Sequence, residues 1–205
     1  MIYVKDIIDK FNGKLLCGDI NLVLDNFSHD TRTIQEGDIY VGIKGESFDG
    51  NKFYKDALEK GAKACILDNI DVNDIPLEYK DRTIVLVEDS LKCIQDLARY
   101  KRSLYDIPVV GITGSVGKTS TKDMIYAVLS TKYKVLKTEG NNNNHIGLPF
   151  TILRLKDEDI MVIEMGMNNF GEISFLTNIA KPTATSAAAT AIVKNTNTCP
   201  DGSSW

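Results

Sequence analysis

Apolar positions along the chain fall into two spacings, one helical and one alternating, and their succession predicts the elements. Val4 to Phe11 carries apolar residues at helical spacing and runs into Gly13, a helix stop. Residues 38–43 alternate as a strand, and 51–60 read as a helix closed by Gly61. Ala64–Leu67 and Thr83–Val87 are short apolar strands, separated by a polar loop over 70–81 that holds Pro76. Asp89 or Ser90 caps a helix that runs to about Leu104. Asp106-Ile-Pro108 then punctuates the chain, and a domain boundary is placed there, after residue 105. Beyond it come an apolar strand at 109–113, a glycine-rich turn, a helix from Lys118 to about Ser130, and strands at 134–136 and 160–163. Strand, loop, helix and strand in that order make a βαβ unit with a parallel sheet. The fold class is therefore α/β.

Composition narrows the class of protein. The 205 residues hold 24 Lys+Arg against 28 Asp+Glu, a net charge of −4, so no bulk charge favours nucleic acid. With 43% hydrophobic and 25% charged residues the chain is an ordinary globular one. No apolar run approaches the roughly 20 residues that span a bilayer, and the start shows no secretory pattern. Cys17, Cys65, Cys93 and Cys199 are scattered, without metal spacing, and His29 and His145 form no metal pair. A cytoplasmic monomer with reduced, mostly buried thiols is expected.

The strongest chemical signal is Gly111-Ile-Thr-Gly114-Ser-Val-Gly117-Lys118-Thr119-Ser-Thr121. A glycine loop between strand and helix aims several backbone amides at one point, and the helix start adds positive potential. Gly114, Ser115, Val116, Gly117, Lys118, Thr119 and Ser120 are the candidate residues for binding a nucleoside triphosphate. Lys118 would meet the β/γ-phosphates and the Thr119 hydroxyl would bind Mg²⁺. Ile112 stands where the strict phosphate-loop spacing requires its first glycine. Glu164, at the end of the strand 160–163, is the candidate second metal ligand, because ligands gather at the carboxyl ends of parallel strands. A surface glutamate at a strand end is the alternative. Lys118 and Glu164 are the candidate catalytic pair.

Three stretches together resemble the Mur ligases, ATP-dependent enzymes of bacterial cell-wall precursor synthesis: residues 113–119, the asparagine loop Gly140-Asn-Asn-Asn-Asn-His-Ile-Gly-Leu-Pro149, and Glu164-Met-Gly-Met-Asn-Asn-Phe-Gly-Glu-Ile173. Ser28-His-Asp30-Thr31-Arg32, Gly37-Asp38 and Gly45–Gly50 resemble the family's uridine-nucleotide domain, with Asp-Thr-Arg in place of the usual Asp-Ser-Arg. The resemblance implies that residues 1–105 bind a UDP-linked precursor through Ser28, Asp30, Thr31 and Arg32. It implies that Asn143 and Asn144 contact substrate, with His145 a loop residue. By themselves Asp30 and Arg32 could be a surface ion pair, and the asparagine run a plain polar loop. The substrates implied are UDP-N-acetylmuramoyl-tripeptide and D-alanyl-D-alanine, joined through an acyl phosphate at the expense of ATP, with Mg²⁺. A non-catalytic module binding the UDP-precursor and nucleotide, or another phosphate-loop NTPase, are the competing functions.

On this reading the central ATP-binding domain, 106–182, is incomplete, since the family's later metal and nucleotide ligands are missing. The resemblance is read as stopping at Pro182. Of residues 183–205, 15 of 23 are Ala, Thr, Ser or Asn, a poor composition for a core strand. An aberrant or disordered tail, from truncation or frameshift, is expected there, with no turnover by this chain.

Overall fold

The structure, a computed structural model, describes residues 1–45 and 47–187. The described residues form two compact units, one of residues 1–106 with 149–156, the other of 107–148 with 157–187. The segment 149–156, assigned from sequence to the central domain, thus groups with the first unit.

In the first unit, β1 (Ile2–Tyr3), α1 (Val4–Phe11), β2 (Lys14–Cys17), β3 (Val23–Leu24), β4 (Phe27–Ser28) and β5 (Ile39–Val41) follow one another. Then come α2 (Tyr54–Glu59), β6 (Ala64–Leu67), β7 (Thr83–Leu86) and α3 (Ser90–Ser103). Five strands form one mixed sheet in the order β2-β7-β6-β5-β4, in which only β2 runs antiparallel. β1 and β3 pair separately. β5, β6 and the first three residues of β7 are buried, as parallel strands covered on both faces must be. The Asp89 side chain accepts from the Lys92 amide, so Asp89 is the cap and α3 starts at Ser90. The helix predicted from residue 51 instead opens with a 3₁₀ turn over Gly50–Phe53, capped by Asp49, before α2. The loop at 70–81 contains two 3₁₀ turns, Val72–Asp74 and Leu77–Tyr79. Cys65 and Cys93 are buried and Cys17 half-buried, all free thiols; burial pushes the Cys93 thiol up to about 12. Cys199 lies outside the described residues.

The second unit holds β8 (Val109–Thr113), α4 (Lys118–Leu129), β9 (Val135–Lys137), β10 (Ile160–Glu164), α6 (Glu172–Ala180) and β11 (Ala184–Ala187). Helix α5 (Gly147–Leu153) begins in this unit. The sheet is wholly parallel, in the order β11-β8-β10-β9. Its core is built by Val109, Ile112, Met161, Val162, Ile163, Leu176 and Ile179. Ladder register sets Glu164 of β10 opposite Ile112 of β8, where the glycine loop begins.

One expectation is corrected here. Residues 183–187 were assigned to an aberrant tail, yet Ala184–Ala187 form β11 and pair with Val110–Thr113. β11 is an edge strand with Ala184 and Thr185 exposed, so its stability comes from the backbone ladder and small polar side chains suffice. The rest of that stretch, 188–205, lies outside the described residues.

Candidate functional site

Gly117 carries a φ of 82° and Gly114 one of 136°, a left-handed backbone that side-chain-bearing residues rarely adopt. These two positions bend the chain from the end of β8 into α4. Between them Ser115 and Val116 are exposed. Among the described residues, the backbone amides of Ser115, Val116 and Gly117 donate to no protein acceptor. Together with the first amides of α4 they form a concave run of donors at a helix start, a site built for an anion. Lys118 folds back over the loop, its Nζ donating to the Gly114 carbonyl at 2.7 Å.

The carboxylate predicted at the end of β10 is no surface group. Glu164 is 2% exposed. Its Oε2 accepts from the Thr119 hydroxyl at 3.1 Å and its Oε1 from Asn143 Nδ2 at 2.8 Å. Its backbone amide donates to the Thr138 hydroxyl at 3.0 Å. Thus Thr119, Asn143 and Glu164, far apart in sequence, meet in one unit, and Lys118 precedes Thr119 at the start of α4. Thr119 and Glu164 present two hard oxygen donors at hydrogen-bond distance, which suits Mg²⁺ held by few protein ligands, phosphate and water. Among the described residues no group of three or more His, Cys, Asp or Glu could hold a metal by itself.

Two residues of the cluster escaped the sequence reading. Thr138, fully buried, follows β9 and is set beside Glu164 by the parallel ladder. Lys122 is 3% exposed, with its Nζ 4.0 Å from Glu164 Oε2. The available signal was its spacing: Lys118 and Lys122 are four apart on α4 and share a face.

The two asparagines separate in role. Asn143 reaches Glu164, whereas the Asn144 side-chain oxygen accepts from the Ile146 and Gly147 amides at 3.1 and 2.8 Å and caps the start of α5. Gly166 follows from this packing, since a Cβ there would sit 3.0 Å from Asn143 Oδ1. Gly166→Ala is expected to push the Asn143 amide off Glu164 and weaken nucleotide binding about tenfold. Calorimetric titration with MgADP checks this; unchanged affinity would show that Asn143 does not orient the carboxylate.

In the first unit Ser28 ends β4, and Asp30, Thr31 and Arg32 lie on the loop that follows it. Ser28 Oγ accepts from the Asp30 amide at 3.2 Å, and Asp30 accepts from the Arg32 amide, Nε and Nη2 at 2.7–3.1 Å. The Arg32 guanidinium beside it holds the Asp30 carboxyl down at about 2. Lys60 Nζ donates to the Thr31 carbonyl, fixing the loop from α2's end. Arg32 is nevertheless 86% exposed, so its fork is oriented by Asp30 and open to solvent. The pair is a surface one and contributes little stability.

Two family models match the sequence: "Mur ligase family, catalytic domain" over residues 24–102 and "Mur ligase middle domain" over 112–193. The chain belongs to the Mur ligase family. The middle-domain match passes Pro182, where the resemblance had been read as ending. Among relatives, the Bacillus subtilis protein named UDP-N-acetylmuramoyl-tripeptide–D-alanyl-D-alanine ligase is 40% identical over 183 residues, 88% of this chain and 39% of that one. The crystal structure of a MurF from Acinetobacter baumannii matches with a TM-score of 0.78 at 28% identity, over 90% of this chain and 40% of that one. MurF ligase from Thermotoga maritima in complex with ADP matches with a TM-score of 0.65 at 42% identity, over 77% and 36% of the two chains. The chain thus spans about two fifths of the length of the Mur ligases it matches. Among its described residues no helix is long and apolar enough to cross a membrane.

Proposed function

We propose that this chain carries the precursor-binding and ATP-binding sites of an amide ligase that adds D-alanyl-D-alanine to UDP-N-acetylmuramoyl-tripeptide. The observation that carries this reading is the meeting of the glycine loop, Thr119 and the buried Glu164 in a Mur ligase chain. The Bacillus subtilis relative bears the name of that activity, and the Thermotoga maritima relative was solved with ADP.

Joining a carboxylate to an amine needs the carboxylate activated, and phosphoryl transfer from ATP makes an acyl phosphate that an amine can displace. That step sets a carboxylate against a triphosphate, so the protein's task is positioning and charge neutralisation. The amides of 115–117 and the start of α4 bind phosphate oxygens, and Lys118, released from the Gly114 carbonyl, adds a full positive charge. Mg²⁺, held through Thr119 and Glu164, would supply charge neutralisation of the phosphates. Asn143 and Thr138 fix the carboxylate before the ligand arrives, which lowers the cost of organising the site. In the first unit the exposed Arg32 fork, aligned by Asp30, suits a diphosphate or uracil carbonyls.

Arg32→Ala is the test of the precursor site. It is expected to weaken binding of UDP-N-acetylmuramoyl-tripeptide at least tenfold while leaving MgADP affinity unchanged, both read by calorimetry. Unchanged precursor affinity would remove Arg32 from the site. Another phosphate-loop NTPase is disfavoured, because residues 24–102 match a Mur ligase model and such an enzyme has no use for that domain.

A further inference from the structure

Among the described residues Lys122 is the one buried cation at the site, and neither phosphate binding nor loop geometry accounts for it. It lies one helical turn beyond Lys118 on α4, 3% exposed, with Nζ 4.0 Å from Glu164 Oε2 and 3.6 Å from Asp123 Oδ1. Asp123 is half exposed and is paired more closely with Lys137, at 2.8 Å. The oxygen of Glu164 that faces Lys122 is the same Oε2 that accepts from Thr119. Lys122 therefore stands beside the carboxylate oxygen that, with the Thr119 hydroxyl bonded to it, would hold a divalent cation.

We propose that Lys122 is a positioning residue that serves as the resident counter-cation of Glu164 and makes metal binding depend on nucleotide. With Lys122 in place the Glu164 charge is already balanced. A divalent ion entering alone meets a buried ammonium about 4 Å from its carboxylate ligand, and like charges at that separation in a protein repel strongly. Polyphosphate brings several negative charges, which outweigh the one cation and admit the metal with them. The arrangement keeps free metal off the carboxylate and couples the two ligands by linkage, so nucleotide and metal each raise the other's affinity by the same factor. Burial gives the ammonium its strength here, since an exposed lysine would be screened.

This inference rests on the ATP-site reading above, and the experiment separates the two. Mn²⁺ serves as the probe, its binding to the 205-residue chain followed by electron paramagnetic resonance with and without ADP. For the wild type, Mn²⁺ alone is expected to bind at least tenfold more weakly than with saturating ADP. Lys122→Met, which keeps length and loses charge, is expected to bind Mn²⁺ alone about tenfold more tightly than wild type and to lose most of the ADP dependence. Lys122→Arg is expected to keep it. A purely structural lysine would change melting temperature without changing Mn²⁺ affinity in the folded protein. Equal Mn²⁺ affinity of the wild type with and without ADP would overturn the proposal even if Lys122→Met fails to fold. Failure of the wild type to bind ADP at all would instead overturn the ATP-site reading.

Discussion

Replacing Lys118 by alanine is expected to lower MgATP affinity by about 100-fold, while the melting temperature moves by less than about 2 °C. The first figure follows from losing a charge-assisted contact to phosphate, worth roughly 1.5–3 kcal/mol. The second follows from what Lys118 does for the fold, which is little. Its ammonium donates to the Gly114 carbonyl in its own loop. It also occupies the first position of α4, where a cation opposes the helix dipole and alanine is the better helix former. A lysine at the wrong end of a helix for stability is there for a ligand. Titration of both proteins with MgATP, alongside thermal unfolding, checks the pair of numbers. A large fall in melting temperature with intact nucleotide affinity would make Lys118 a structural residue.

The second large effect concerns stability. Glu164→Ala is expected to destabilise the chain by about 3 kcal/mol, because it removes the buried partner of Lys122 and leaves it beside only Asp123, which is half exposed and already paired with Lys137. For a protein of this size that lowers the melting temperature by roughly 6–12 °C. The penalty belongs to the stranded charge, so Lys122→Met in the same chain is expected to recover most of it. Thermal unfolding of the two single variants and the double variant forms a cycle that isolates the coupling. Additive losses would show that the two charges do not depend on each other.

Long periodic segments were the most legible in sequence. β8, α4 and β10 form the chemical centre, and each bears enough apolar residues to declare its period. The glycines at 114 and 117 announced the turn between β8 and α4, and the structure assigns both a positive φ. β1, β3 and β4, at two residues each, are too short for any period to show, and their pairing is settled by the chain around them. α5 carries Pro149 in its first turn, where proline is tolerated, and the Asn144 side chain bonds the amides at its start. β11 was obscured by its alanines and threonine, since composition reports side-chain packing and an edge ladder needs mainly backbone. At the site, Glu164 was reached from its place at a strand end, but its burial was not, because depth depends on β9 and the asparagine loop closing over it. The role of Lys122 came into view only with the sheet, which sets Glu164 within 4.0 Å of its ammonium.

In the proposed function each unit carries an anion site of its own, one for a UDP-linked precursor and one for ATP. Calorimetric titration of the wild-type chain with MgATP, alone and then saturated with UDP-N-acetylmuramoyl-tripeptide, tests it most directly. One equivalent of MgATP is expected to bind in both cases, and chelation of the metal is expected to weaken it. Displacement of MgATP by the UDP-precursor, or no binding of MgATP at all, would contradict the claim.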